Sequence, residues 1–335
     1  MLRQVTHCPS YSLVLTRRCA NRCGYCGFPI SGPDSPPPLR VVRCHLRQAA
    51  QLGATQVELI AGEGIANDSA IVETVCHYGF DSYQSYLTEI LQMIEATDRR
   101  SHLFSLLNIG PLSLAELRMM RPYMCAMRMM LESADPSLQF RDAHIGSPSK
   151  APVRRLEAIL ACGRAGVPLT TGIIVGIGDG RESRLKAFDI IARAHQRYGH
   201  IQAVRVQMFH PIAGTPMGNR PAVGDDEFVE TVALARRHFG PTMAIQVSAD
   251  EHPHLIGPLL DAGVSDLGDI PVRRKSDRKV SPDSLVALAE AEARRRGLRF
   301  ARRFPVLPTH CDARWYPGGF PTRIPLARTL MAKHV

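Results

Sequence analysis

Cys19, Cys23 and Cys26 fall in one short run, separated by three residues and then by two, with Tyr25 immediately ahead of the last. Three thiolates on a tight loop can each hold one iron of a four-iron cluster and leave the fourth iron open. An open iron can chelate a ligand, whereas a fully ligated cluster mainly carries electrons. Zinc is the competing reading, and it wants a fourth ligand, usually from a second paired knuckle downstream. Cys44 and His45 are adjacent and make no such knuckle, while His7 and Cys8 lie on the other side of a predicted strand. Nine cysteines is an odd number in a chain of 335 residues, far above mini-protein size, which fits a disulfide framework poorly. The other six, Cys8, Cys44, Cys76, Cys125, Cys162 and Cys311, occur singly, and the default expectation for each is a small buried hydrophobe.

Such a loop has to be positioned by regular structure, and the chain alternates short β-rich runs with amphipathic helical stretches. The pattern predicts strands at 12–16, 56–60, 102–106, 126–131, 169–175, 203–207 and 243–247. Helices are expected at roughly 39–52, 82–97, 113–121, 151–165, 181–198, 225–238 and 253–262. Asp81 is expected to open the second helix, Ser113 with Glu116 makes a capping box, and Ala165-Gly166 closes the fourth. Repeated β–α units give parallel strands with right-handed crossovers, so a full or partial (β/α) barrel follows. Active residues then belong at the carboxyl ends of the strands, where the cysteine loop lies. A doubly wound open sheet is the rival, but Gly176-Ile177-Gly178 is too short a glycine pattern for a dinucleotide site. Ser31–Pro38, with four prolines, reads as an extended connection over the cysteine loop. The alternation weakens near residue 266. The expected division is a barrel over 1–265 and an extension over 266–335, with one helix at 282–296, that caps the barrel without folding independently.

Bulk properties narrow the setting. A hydrophobic share of 45% is ordinary for a globular α/β protein. No apolar run approaches a membrane span, and the first residues lack the pattern of a signal peptide, so a reducing cytoplasm is expected. The formal charge of +10 permits acidic substrates or nucleic acid. The densest basic run, Arg294-Arg295-Arg296 through Arg299, Arg302 and Arg303, has no interleaved aromatics and reads as a solvated face. Nucleic-acid binding, as a zinc-stabilised protein, remains the reading from a different class.

The cysteine spacing with its aromatic closely resembles the radical S-adenosylmethionine (SAM) superfamily. The resemblance implies a radical SAM barrel, one 4Fe-4S cluster held by Cys19, Cys23 and Cys26, and SAM on the open iron. At the second strand end, Gly62-Glu63 resembles the segment that holds the SAM amino group; by itself it would be an ordinary turn. Glu132, in Met130-Leu131-Glu132-Ser133, is a candidate for polar contact with SAM or substrate, against a helix cap or surface charge. Arg155 is the candidate partner of the SAM carboxylate, because a guanidinium binds one bidentately, with Arg154 as the alternative. Gly176 and Gly178 would bring bare backbone against the adenine, with Tyr25 and Phe28 adding contact. His210 is the candidate general acid or base, although a lone histidine at a strand end is more often structural.

Several further segments are similar to a narrower family, the radical SAM subunit (CofG) of 7,8-didemethyl-8-hydroxy-5-deazariboflavin synthase. They include Tyr78-Gly79-Phe80-Asp81, Arg197-Tyr198-Gly199-His200, Gly214-Thr215-Pro216-Met217 and Leu259-Leu260-Asp261-Ala262-Gly263-Val264. The resemblance implies a lyase that takes hydrogen from a hydroxybenzyl–ribityl-uracil adduct, closes a ring and loses ammonia, leaving the deazaflavin chromophore. Its implied partners are an external electron donor of ferredoxin or flavodoxin type and the synthase that supplies the adduct. The chain departs from the family's Gln-Asn-Phe-Arg/Lys at Gln207-Met208-Phe209-His210, from Pro-Pro-Asn at Ser248-Ala249-Asp250, and from Asn-Asp-Trp/Leu-Gly-Gly at 265–269. Basic residues replace the region that follows. Two readings stand: sequence drift within one activity, or a relative acting on a different amino-acid-derived or heterocyclic substrate.

Overall fold

Eight parallel strands close into a barrel in the computed structural model, which describes residues 4–30, 34–97, 103–273, 280–312 and 314–316. They are β1 (Gln4–Thr16), β2 (Gln56–Ala61), β3 (Phe104–Asn108), β4 (Ala126–Arg128), β5 (Leu169–Val175), β6 (Ile201–Met208), β7 (Ala244–Gln246) and β8 (Asp266–Pro271). Strand order follows the sequence, and β1 pairs with both β2 and β8. That double pairing closes the sheet and removes the open doubly wound alternative.

Helices α1 (Leu39–Gln51), α2 (Ser69–His77), α3 (Tyr83–Ala96), α4 (Leu114–Met120), α5 (Pro152–Arg164), α6 (Arg181–Tyr198), α7 (Asp225–Phe239) and α8 (Ile256–Asp261) connect the strands. The local sequence accounts for them. In α7, Phe228, Thr231, Val232 and Ala235 recur at three- and four-residue spacing and are buried. Asp225, Asp226 and Glu227 occupy its first turn and Arg236, Arg237 and His238 its last, each charge set against the helix dipole. The Ser113–Glu116 capping box forms at α4 as expected. At α3 the cap is Ser82, boxed with Ser85, one residue beyond the expected Asp81. α2 was not foreseen; Asp68 caps it by accepting from the amides of Ala70 and Ile71.

Alternation along the strands sends Val57, Leu59, Leu107, Val204 and Val206 outward into the core beneath the helices. The opposite set points into the barrel and is largely polar: Glu58, Asn108, Arg128, Arg205, Gln246 and Asp266. Buried polar groups must be partnered, so this lumen is laced with hydrogen bonds. The expected barrel of 1–265 stops just before β8, which is the eighth barrel strand. With two aspartates, a glycine at φ +71° and a terminal proline, β8 carries little strand propensity of its own.

Beyond β8 come α9 (Pro282–Arg295) and β9 (Arg299–Arg302), which pairs with the start of β1. The chain then crosses the amino-terminal end of the barrel. Phe304, Val306, Cys311, Trp315 and Tyr316 pack there against Phe104 and Cys125. Gln202 accepts from the amide of Leu307 and donates to the carbonyl of Pro305. Arg303 is not on a solvated face: it is buried and ion-paired with Asp266. Cys8, Cys125, Cys162 and Cys311 are buried, but Cys44 and Cys76 are exposed on outward faces of α1 and α2. Residues 31–33 of the proline-rich connection and 274–279 of the basic stretch lie outside the described residues.

Candidate active site

The cysteine loop follows β1 and is stitched to the segments beside it. The amide of Ala20 donates to the carbonyl of Glu63 at 2.8 Å, and the amide of Glu63 donates to Sγ of Cys19 at 3.3 Å. Gly62 makes this approach possible, since a Cβ there would lie 2.0 Å from the carbonyl oxygen of Arg18 and 2.5 Å from Cβ of Cys19. On the other flank, the amide of Gly24 donates to the carbonyl of Ala143 at 3.0 Å and that of Arg22 to Oγ of Ser147 at 3.0 Å. All three thiols are free and half-buried. Burial pushes the Cys23 thiol up to about 11, while Lys150 pulls the other way. Among the described residues no three His, Cys, Asp or Glu side chains converge as on a single ion. A four-iron cluster asks for something else, one thiolate on each of three separate irons, and three free cysteines on one loop fit it.

Beside this loop lie two carboxylates and two cations. Glu63 accepts from Arg155 Nη2 at 2.6 Å, from Lys150 at 2.9 Å, from Asn21 at 2.8 Å and from Ser149. Glu132 accepts from Lys150 at 2.5 Å, and Arg155 stands 3.6 Å away. Burial works to raise the Glu63 carboxyl, but Lys150 and then Arg155 hold it well below the ordinary range. Glu132 sits at φ +71°, alone among the described non-glycine residues. Such strain collects at functional sites. Glu132 Oε2 and Arg155 Nε and Nη1 are buried without partners. A free carboxylate oxygen and free guanidinium N–H groups complement the ammonium and carboxylate of an α-amino acid, which is what SAM presents.

The structure also separates the two arginines left as alternatives. Arg155 is 1% exposed and faces the carboxylates, whereas Arg154 is exposed and paired with Glu157 at 3.1 Å. Lys150, Ser149 and Asn21 were missed by sequence reasoning. Lys150 lies in a proline-flanked single turn, which gives no sign in the sequence of which way a lysine points.

The remaining expected residues divide. Tyr25 packs on an apolar cluster of Leu138, Ala143, Ile174, Ile177, Phe209 and Met217, which joins it to the end of β5. Its ring meets His144 edge-on at 5.7 Å. Phe28 lies elsewhere, under the guanidinium of Arg17 at 4.8 Å. Gly176 and Gly178 turn at φ +95° and +100°, and Asp179 accepts from the amides of Gly176 and Ile177. His210 is exposed and lies against His252, with ring centroids 4.9 Å apart and the rings tilted by 32°.

Below the mouth, Arg128 bridges Glu58, at 2.5 Å, and Asp269. Asn108 donates to the same Glu58 oxygen at 2.9 Å. Arg205 donates to Gln246 at 3.2 Å and to Ser248. Ser248 and Asp269, two positions where the chain departs from the resemblance, therefore face the lumen.

A closed parallel barrel with three free cysteines on the loop after its first strand defines a radical SAM enzyme. The family model of the radical SAM superfamily matches residues 13–191. Over 94% of both chains, this protein is 34% identical to 7,8-didemethyl-8-hydroxy-5-deazariboflavin synthase of Archaeoglobus fulgidus. It is 31% identical to the synthase of the same name from Synechococcus elongatus, over 92% of this chain and 88% of that one. The chain therefore belongs to the radical SAM superfamily and, within it, to the 7,8-didemethyl-8-hydroxy-5-deazariboflavin synthase family. Among solved structures, the FeFe-hydrogenase maturase HydG of Carboxydothermus hydrogenoformans superposes with a TM-score of 0.71 at 20% identity, covering 99% of this chain and 73% of that one. Methylornithine synthase (PylB) gives 0.67 at 18%, covering 90% and 84%. Both show the fold. The superfamily's cofactors are a 4Fe-4S cluster and SAM, and the reaction is that of an enzyme on a small molecule.

Proposed function

We infer that this protein is a radical SAM lyase that forms 7,8-didemethyl-8-hydroxy-5-deazariboflavin from a hydroxybenzyl–ribityliminouracil adduct by hydrogen abstraction, cyclisation and loss of ammonia. The observation that carries the reading is 32–34% identity, over nearly the full length, to synthases of that name, joined to the cysteine loop at the barrel mouth. When bound and reduced, the cluster and SAM supply a 5′-deoxyadenosyl radical.

The chain's own residues bind, orient and exclude water. Cys19, Cys23 and Cys26 would hold the cluster. Glu63 and Glu132 would accept from the SAM ammonium, and Arg155 would donate to its carboxylate, with Lys150 ion-paired to both acids in a buried setting. Tyr25, Gly176 and Gly178 form the side toward the adenine, while Phe28, beneath Arg17, braces the loop. His210 is the candidate acid or base for the ammonia-forming step.

The electron comes from an external ferredoxin- or flavodoxin-type donor, and the adduct from a partner synthase. Among the described residues no helix is long and apolar enough to cross a membrane, and a reducing cytoplasm suits the cluster. The described residues after β9 serve as a cap on the far end of the barrel. The test is anaerobic: the reconstituted, reduced protein with SAM and the adduct should yield deazaflavin fluorescence and 5′-deoxyadenosine together. SAM cleavage without fluorescence would assign a different substrate.

A further inference from the structure

Arg205 stands in the middle of β6, and its register with Gly172 and Gln246 turns its side chain into the lumen. It is fully enclosed, yet its hydrogen bonds go to two neutral acceptors, Oε1 of Gln246 and Oγ of Ser248. Its Nε is buried without a partner. The other enclosed arginines each hold a carboxylate: Arg128 holds Glu58 and Asp269, Arg155 holds Glu63, Arg184 holds Asp179 and Arg303 holds Asp266. Arg205 forms no ion pair with a described carboxylate. Across the lumen, Glu58 and Asp269 are already engaged by Arg128, whose own charge opposes that of Arg205, and Glu251 eases that charge only from beyond ion-pairing distance. Burial, and then Arg128, pull the Arg205 pKa down.

A guanidinium stays protonated in a protein, so this charge cannot be shed by titration. A buried guanidinium bonded only to neutral acceptors weakens a fold, and such costs persist where function needs them. The lumen opens toward the cysteine loop, where the substrate of a radical SAM enzyme must reach the radical. A ligand with a carbonyl oxygen acceptor would complete the site.

We propose that Arg205 is a specificity-determining residue that donates from its guanidinium to one carbonyl oxygen of the substrate's pyrimidinedione ring. The proposal rests on the function inferred above, which gives the substrate that ring. Two N–H groups of a guanidinium can converge on a single carbonyl oxygen in the plane of its ring, a geometry that a lysine does not reproduce.

The test uses the reconstituted enzyme and the fluorescent product, 7,8-didemethyl-8-hydroxy-5-deazariboflavin, which keeps the same ring. Fluorescence titration should show Arg205→Gln weakening binding roughly 10- to 100-fold, with Arg205→Lys in between. Iron content should be retained and Tm unchanged or raised, because a buried charge bonded only to neutral acceptors is removed. A purely structural arginine behaves oppositely: both variants melt lower and the folded protein binds the product within about threefold of wild type. That result overturns the proposal alone. Failure of the wild-type protein to bind the product overturns the functional reading and this proposal with it.

Discussion

Lys150 Nζ lies 2.5 Å from Glu132 Oε1, and both side chains are nearly sealed from solvent. The same ammonium reaches Glu63 at 2.9 Å, so one lysine ties the second and fourth strand ends together beside the cysteine loop. Removing it leaves two buried carboxylates with Arg155 as their remaining cation. We expect Lys150→Gln to cost about 3 kcal/mol of stability and to weaken SAM binding. Urea unfolding and equilibrium dialysis with SAM would read both effects; unchanged values in both would show that Arg155 suffices.

Gly62 predicts a separable defect. A methyl group there collides with the carbonyl of Arg18 and with Cys19, so the loop must move. Gly62→Ala should fold, by circular dichroism, while incorporating markedly less iron. Full cluster content in that variant would contradict the close approach.

Asp266 holds the barrel to its cap. It accepts from Arg303, from Gln246 at 2.8 Å, from Thr6 at 2.5 Å and from the amide of Gly268 at 2.9 Å. Asp266→Asn leaves Arg303 enclosed and unpaired, a loss of roughly 3–5 kcal/mol. Adding Arg303→Met should recover part of that loss. A double variant no more stable than the single would show that the pair's charge is not the source.

Stability should fall in mild acid. Burial lowers His200 and His310 to about 4, and their rings bond to the carbonyls of Ile159 and Gly199. In the unfolded chain they titrate near about 6.5, so below that value the unfolded state takes up protons that the native state refuses. Their contribution is complete above about pH 6.5 and declines toward about pH 4, by roughly 2 kcal/mol per histidine at about pH 5. Tm measured against pH should show this slope, and His310→Gln should flatten it. An unaltered slope would exclude His310 as a source.

Much of this protein was legible in its sequence because local rules wrote it. The cysteine spacing is a property of one loop, and strand and helix periodicity are properties of single segments. Cys19, Cys23 and Cys26, the barrel class, the α4 capping box and the candidates Glu63, Glu132 and Arg155 could therefore be named before any coordinates. Other features depend on residues far apart in the chain. β8 reads poorly as a strand because its aspartates find their cationic partners, Arg128 and Arg303, in β4 and beyond β9. Lys150 became part of the site only when its turn was laid across two strand ends. Closure of the barrel made Arg205 a buried guanidinium with no ion pair to a described carboxylate. Periodicity tells which face a side chain takes; only tertiary packing decides which distant charges meet there, because buried electrostatics is set by distance and desolvation.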